Sequence, residues 1–469
     1  MPTEAPSSDE DTNLKSTQDG LSFSMTILYS LGSAAGLFLY NTFNAFVQFF
    51  YADVVGLPAQ WVGRGLFAFG FWNALNDPLV GWIADNKKSA TGRRTWFIRT
   101  LAIPVAIAFM AIWLPPFNIA EHGMRTVMVY FLIIISIYDV LQSLITLSVD
   151  ALLPEMFQEP HARLRGTMIV TVIGSVLGGL AIALAPTVYS KWGWGALAVI
   201  WGVFAACLYF ASLLGIRENP KYAEAEEAPI LERLNIVFRN RTFLIVIALN
   251  LTFRIMLAVL VTSMPFYTKY VLQVDETKTA QLVIVFVIAY TSAIILWQPV
   301  YRRFGTRNTL LISTILFGGA SLPTIFASTL LGAMGVVALI GFGLSGPSLL
   351  GIQLVFADTV DEDYVNTGVR REGLYRGILG FVYRWPPAFS ALFMGELLDW
   401  SGYNEALDPS SQPVQVAISI RYFIGLTPFF VSLITALLVY WYPLYGERLK
   451  NIRFGVQQRN NELENPTTL

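Results

Sequence analysis

Trp72-Asn73-Ala74-Leu75-Asn76-Asp77-Pro78-Leu79-Val80-Gly81 sets two asparagines, an aspartate and a proline inside an apolar run from about residue 59 to residue 84. A helix crosses the hydrocarbon core of a bilayer with about 20 mostly apolar residues, so this run is long enough to span. A basic stretch follows, with Lys87, Lys88, Arg93 and Arg94. Polar residues within a membrane-length helix belong on its protein-facing side, where partners or a cavity can receive them. The segment therefore reads as one span of a polytopic membrane protein. Further apolar stretches lie at 24–52, 95–115, 125–150, 165–188, 194–215, 242–270, 279–300, 308–328, 331–357, 374–398 and 420–444. The expectation is an all-α membrane protein of twelve transmembrane helices. The short alternating segments of a β-barrel are absent from the pattern.

Composition agrees. The 469 residues are 55% hydrophobic and 13% charged, where a soluble chain carries about 25% charged residues. A net charge of -1 speaks against nucleic acid as a partner, since that would call for a basic face. Residues 1–22 are polar and acidic (Ser7, Ser8, Asp9, Glu10, Asp11) and lack an apolar core. They read as a disordered cytoplasmic tail, not a signal peptide. The single Cys207 and the two histidines, His122 and His161, supply no disulfide framework and no histidine metal site. No phosphate loop or nucleophile motif is present, so an enzyme is not expected, and neither is a cofactor. Membrane enzyme or receptor remains the remote alternative to transport.

Loop charge sets direction. With twelve spans, the termini and the even-to-odd loops share one side. That side carries twenty basic residues, among them Arg163, Arg165, Arg302, Arg303, Arg307, Arg370, Arg371, Arg448 and Arg453, against Arg125, Lys191, Lys269 and Lys278 on the other. The positive-inside rule then puts both termini in the cytoplasm, with the chain multi-pass in the plasma membrane.

The longest polar connection, 217–241, follows the sixth span and contains Pro220, Pro229 and Glu224, Glu226 and Glu227. It divides the chain into a six-helix half at 23–216 and another at 242–445, with a cytoplasmic tail at 446–469. The halves echo each other. Asp77-Pro78 and Gly92-Arg93-Arg94 have a counterpart in Gln298-Pro299 and Arg302-Arg303. Asp150 to Pro154 with Arg163 and Arg165 has one in Asp358 to Asp361 with Arg370 and Arg371. Two parallel six-helix repeats, pseudo-symmetric about the membrane normal, are the architecture of the major facilitator fold.

The Trp72–Gly81 stretch, Tyr51-Ala-Asp53-Val54-Val55-Gly56 and Ala357-Asp358-Thr-Val-Asp361 with Arg370-Arg371-Glu372-Gly373 together resemble the glycoside–pentoside–hexuronide:cation symporter family. This branch of the major facilitator superfamily is typified by the melibiose permease and also includes lysophosphatidylcholine transporters. The resemblance runs from about residue 25 to residue 445. It implies a cation-coupled secondary transporter of a glycoside, uronide or related small solute by alternating access. It also leaves a lysophospholipid-type carrier as the alternative. The family's helix-2 cation site has two acids four apart, the second before proline; here these positions hold Asn73 and Asp77. The family's sugar-binding aspartates fall near Leu37 and Thr146, and its helix-11 lysine falls at Arg384. One carboxylate and one cation of that set are thus present. The implied coupling ion is Na⁺ or H⁺, and the implied working unit is a monomer.

Each intramembrane charge costs about 2.5–3.5 kcal/mol on insertion scales and asks for a partner or a function. Asp77, with Asn73 and Asn76 as neutral ligands, is the candidate cation or proton site, or else a gate carboxylate. Asp139, Gln142 and Thr146 share a face of the fourth span and line either a cavity or a helix–helix contact. Asn41, Asn44 and Gln48 make a similar stripe on the first span. Arg254 and Arg384 are buried cations; Arg384 would pair with Asp77 or Asp139. Trp72 and Trp385 would stack on a sugar or pack. These define an expected substrate site of Asn41, Asn44, Gln48, Asp139, Gln142, Thr146, Arg254, Arg384 and Trp385 among helices 1, 2, 4, 7 and 11. The expected gates are Asp85, Arg93, Arg94, Asp150, Asp358, Asp361, Arg370 and Arg371.

Overall fold

The computed structural model describes residues 23–86, 93–157, 160–218, 240–369 and 371–464. The expected N-terminal tail and most of the 217–241 linker lie outside the described residues, as do Arg370 and the side chains of Asp77, Asp85 and Arg163.

Among the described residues the fold is helical throughout. The first half comprises α1 (Phe23–Phe49, extended by a π turn at Phe50–Val54), α2 (Ala59–Asn86), α3 (Thr95–Trp113) and α4 (Ile119–Met156). Next comes the continuous stretch Pro160–Leu213, which as one helix would be roughly 80 Å long, more than twice the hydrocarbon thickness. Gly193, at φ 82 and ψ 167, breaks it. Only glycine adopts that conformation without a Cβ penalty, so the stretch is two helices, α5 (160–192) and α6 (194–213). In the second half Glu276–Ser321 is divided the same way by Gly305 at φ 75 and ψ 170, giving α8 (276–304) and α9 (306–321). Around them stand α7 (Arg241–Phe266 with a π turn at Tyr267–Val271), α10 (330–367, wound as a π segment at Gly346–Gly351) and α12 (Val414–Trp441). The remaining span, α11, is Glu372–Val382 and Trp385–Trp400, interrupted at Tyr383 and Arg384 ahead of the Pro386-Pro387 pair.

Twelve spans are consistent with these elements once the breaks at Gly193 and Gly305 are allowed for; a third glycine, Gly123 at φ 75 and ψ 155, sets residues 119–122 apart from the rest of α4. Among the described residues, seven stretches are long and apolar enough to cross a membrane on length and hydropathy alone. The others fall short because they are interrupted, as in α10 and α11, or carry polar residues, as in α2. Outward faces are apolar: Ile103, Ile107, Val129, Ile133, Leu433 and Leu437 are all exposed. In water such a belt would be a liability, whereas lipid is its natural solvent.

The C-terminal stretch, expected as a tail at 446–469, carries one more helix. It forms α13 (Gly446–Glu464), which lies against α10. Arg448 reaches Glu362 at 2.8 Å and Arg453 reaches Asp358 at 3.2 Å, and the Arg459 guanidinium donates to the Val365 carbonyl at 2.9 Å. Three arginines are spaced along one helix, but their partners, two acids and a carbonyl, lie about 90 residues away in sequence.

Candidate functional site

The two halves meet along α1 with α7, α2 with α11, and α5 with α8. At the end of the molecule away from the termini they are fastened. Asp53, at the close of α1, is bonded by Lys269 and by the hydroxyl of Tyr270 at the end of α7. The Tyr403 hydroxyl donates to the same carboxylate at 2.9 Å. Burial, then the neighbouring Asp53, pushes the Tyr403 phenol far above its usual range, so it remains a donor at any working pH. Beside this cluster Gln60 donates to Asp399 at 2.8 Å and Arg64 pairs with Glu396 at 2.6 Å. The helices touch backbone to backbone here. A Cβ on Gly63 would sit 2.6 Å from the Ala391 carbonyl, and one on Gly395 would sit 2.5 Å from that of Ala59. Aromatic pairs continue the contact, with Phe71 edge-on to Trp385 at 4.8 Å.

Toward the end that holds the termini the same helices part. Among the described residues, a Cβ added at Gly81 on α2, or at Gly373, Gly377 or Gly380 on α11, would meet no atom within 4 Å. The charges at this end pair inside each half. Glu155 takes Arg94 at 3.2 Å and Arg93 at 3.6 Å. Glu218 accepts the backbone N–H groups of Arg93 and Arg94 at 2.8 and 3.0 Å and the Thr95 hydroxyl at 3.0 Å. A carboxylate against the first N–H groups of α3 satisfies donors that the helix cannot. In the second half Arg371 pairs with Asp363 at 3.2 Å, and Asp358 is held by α13. Among the described residues, the expected gates Arg93, Arg94, Asp358 and Arg371 thus make these pairs within a half. Asp361 also lies on this face of α10, and Asp150 stands exposed near the end of α4.

Between the halves lies a cavity of about 300 Å³. It is lined from α1 by Tyr40, Asn41 and Asn44, from α7 by Arg254, and from α11 by Tyr383, Pro386 and Pro387. Apolar side chains of α5, α8 and α10 complete it, including Ile182, Val283, Phe286, Val287, Val337 and Ile340. The α11 interruption puts Tyr383 and the proline pair at the wall; irregular backbone is tolerated at such depth where it borders a cavity.

The expected site divides on inspection. Asn41, Asn44 and Arg254 line the cavity. Gln48 does not: its Nε2 donates to the Ala391 carbonyl at 2.7 Å, tying α1 to α11. Gln142 and Thr146 face inward within the first half. Tyr209 on α6 donates to Gln142 Oε1 at 3.2 Å, and Gly36 on α1 packs against both side chains. Asp139, 7% exposed, accepts from Asn76 at 3.0 Å. On α4, Asp139 and Gln142 thus bond to neighbouring helices and Thr146 accepts from Gln142 at 3.3 Å, and among the described residues α2 and α4 give nothing to the lining. Trp385 packs against Phe71, Phe381 and Phe389, and Trp72 stands on the outer surface beside Leu132 and Ser136. Arg384 sits half-buried at the α11 break, next to lining residues. Its expected pairing with Asp77 lies outside the described residues. Asn73 is 7% exposed and its Oδ1 has no hydrogen-bond partner among the described residues.

Reading residue types in order found Asn41, Asn44 and Arg254. It missed Asp53, Lys269 and Tyr403, whose only signal was a charge or phenol just past the end of a span. It also missed the α8 and α10 walls, whose side chains are indistinguishable in type from lipid-facing ones.

Residues 28–446 match the family model described as MFS/sugar transport protein. Curated relatives include an isoprimeverose transporter of Lactiplantibacillus pentosus, 26% identical over 84% of this chain and 83% of that one. A glucuronide carrier protein homolog of Escherichia coli is 25% identical over 94% and 96%, and a putative sulfoquinovose importer of Salmonella typhimurium is 25% identical over 87% of each. Among solved structures, the nucleoside transporter NupG superposes with TM-score 0.59 at 12% identity over 89% of this chain and 98% of that one. A bacterial homologue of the human lysosomal transporter Spinster, inward-facing and unoccupied, gives 0.63 at 16% identity over 89% and 96%. The matching family model, carried on two six-helix halves around a central cavity, makes this chain a member of the MFS/sugar transport protein family, a multi-pass membrane carrier and not an enzyme.

Proposed function

We propose that this protein is a cation-coupled symporter that carries a glycoside, uronide or similar small sugar-like solute by alternating access. The carrying observation is the asymmetry of the cavity: the halves are fastened on one side of it and part on the other. With the basic, terminus-bearing side in the cytoplasm of a plasma membrane, this is an inward-facing carrier. The names of its relatives support the solute class. The chain works as a monomer, since each half-to-half contact needed for the cavity is supplied within one chain. It has no nucleic-acid partner and needs no cofactor beyond the transported ion.

The ion site of this proposal centres on Asp77, one helical turn after Asn73. A buried amide oxygen left without a partner is uncommon and asks for a reason; an ion ligated between the two residues supplies one. Asn73 in place of a second acid lowers the charge of the site, which favours H⁺ or weakly held Na⁺. Cation and solute each stabilise the same occluded arrangement, and that shared preference is the coupling. Uptake into proteoliposomes, against a panel of glycosides, uronides and lysolipids with imposed Na⁺ or pH gradients, tests this. Concentrative uptake of a sugar derivative, lost in Asp77→Asn while solute exchange persists, is expected. Accumulation of lysolipids alone would establish the lipid carrier of the same superfamily branch instead. Undiminished concentrative uptake by Asp77→Asn would remove Asp77 as the coupling group.

A further inference from the structure

Arg254 lies at membrane depth on α7 yet is exposed, because it opens onto the cavity. Its guanidinium carbon rests 3.5 Å from the centroid of the Tyr383 ring on α11. That ring is itself fixed. The Tyr383 hydroxyl donates to Asn250 Oδ1 at 2.9 Å, and Asn250, 2% exposed, anchors its amide nitrogen on the Val246 carbonyl at 2.9 Å. The chain Val246–Asn250–Tyr383–Arg254 therefore joins α7 to α11 and ends in a cation laid flat on an aromatic face. Stacking of this kind is worth about 0.5–2 kcal/mol and holds the guanidinium plane. It leaves the N–H edge of the fork open to the cavity.

Among the described residues, charge in the cavity is one-sided. No aspartate or glutamate is among the described lining residues, and Arg254 makes no ion pair among the described residues. A guanidinium in a mostly apolar cavity wants a planar, bidentate anion, and an already ordered fork loses little entropy on receiving one. Across the cavity Asn41 and Asn44 offer amides; the Asn44 amide nitrogen is taken by the Tyr40 carbonyl at 2.8 Å, so its oxygen faces a hydroxyl best. The remaining wall, with Val283, Phe286, Val287 and Ile340, is apolar. A volume of about 300 Å³ is at the small end of small-molecule sites, too little for a long acyl chain.

We infer that Arg254, positioned by Tyr383 and Asn250, is the anion-selecting element of this carrier, and that its preferred solute is an anionic glycoside bearing a small apolar aglycone. The sugar carboxylate meets Arg254, hydroxyls meet Asn41 and Asn44, and the aglycone lies on the Phe286–Val287 wall. This rests on the sugar-carrier reading and narrows it. It is separable from Asp77, because it concerns binding and not coupling.

The test compares phenyl β-D-glucuronide, phenyl β-D-glucoside and free glucuronate for binding to the purified protein in nanodiscs. In the native chain the glucuronide should bind at least about tenfold more tightly than the glucoside, the scale of one charge-assisted hydrogen bond. It should also exceed free glucuronate. Arg254→Gln should bring the glucuronide-to-glucoside ratio to near one, and Arg254→Lys should leave an intermediate ratio, a point charge replacing the fork. Tyr383→Phe keeps the ring but loses Asn250; it should lower the ratio about threefold without a change in which phenyl glycosides bind. Equal native affinity for glucuronide and glucoside would overturn the inference while leaving a sugar carrier intact. So would an unchanged ratio in folded Arg254→Gln and Arg254→Lys. Failure of all three compounds to bind would instead overturn the sugar reading on which it depends.

Discussion

The two ends of this molecule use their charged side chains in opposite ways. At the end away from the termini, Asp53, Lys269, Tyr270 and Tyr403 join α1 to α7 and to the segment after α11, so the bonds cross between halves. At the terminal end, Glu155 with Arg93 and Arg94, and Glu362 with Arg448, hold within a half. Bonds of the first kind must break for the cavity to open outward. Bonds of the second kind stiffen each half so that it moves as a body. A carrier that alternates needs both, and their placement says which end is closed in this state.

The largest effect on that contrast is expected at Asp53. Its side chain is 2% exposed and that of Lys269 is 27% exposed. Removing one member of a buried pair typically costs about 3–5 kcal/mol, less where one partner is wet. Asp53→Ala should therefore raise labelling of a cavity cysteine by an impermeant thiol reagent, added from the far side, by at least about tenfold. Labelling at the native rate would show that this cluster does not seal the end. Next comes Gly395→Val. Any Cβ there meets the Ala59 carbonyl at 2.5 Å, and backbone cannot yield as a flexible side chain can. The α2–α11 seam should open, with far-side labelling up roughly threefold to tenfold, on the scale of about 1 kcal/mol for a forced contact. A variant with unchanged labelling would mean that the close crossing of α2 and α11 is not part of the seal.

Smaller, and at the other end, is loss of α13. Arg448→Ala with Arg453→Ala leaves Glu362 and Asp358 without those partners. Both acids are nearly buried, at 8% and 6%, but each arginine is 58% exposed. The double variant should melt a few degrees lower, a cost of about 1–2 kcal/mol, with no rise in far-side labelling. A rise there would erase the distinction between bonds that cross and bonds that stay within a half. Least of all is Arg64→Gln. Its pair with Glu396 is exposed on both sides, at 47% and 34%, and such pairs contribute little. Labelling should stay within about twofold of native; a change as large as that of Asp53→Ala would mean that burial does not rank these bonds.

How far the sequence reveals this is uneven, for physical reasons. Span number, direction and the two halves depend on runs of apolar residues and on loop charge, which are local properties. The breaks at Gly193 and Gly305 were legible as gaps between spans. The roles of polar residues depend instead on which face a helix presents to which neighbour. Asn41 and Gln48 lie on one stripe of α1, yet one lines the cavity and the other bonds to α11, because the two helices converge between them. Gln142 and Thr146 read as a cavity stripe, yet Gln142 is bonded by Tyr209 of α6 and itself donates to Thr146. Tyr383 was legible only as a neighbour of Arg384; its place under Arg254 follows from a helix 130 residues away.

The most direct measurement uses paired cysteines at Gln60 and Asp399, whose native side chains are hydrogen-bonded at 2.8 Å across the seam. The one native cysteine, Cys207, is exposed and is first replaced by serine. In proteoliposomes, a short reducible thiol linker should join the pair rapidly in the absence of solute. Joined protein should lose uptake, recover it on reduction, and join more slowly when solute and coupling cation are present together. Uptake that continues at its original rate in a fully joined population would contradict alternating access through this end.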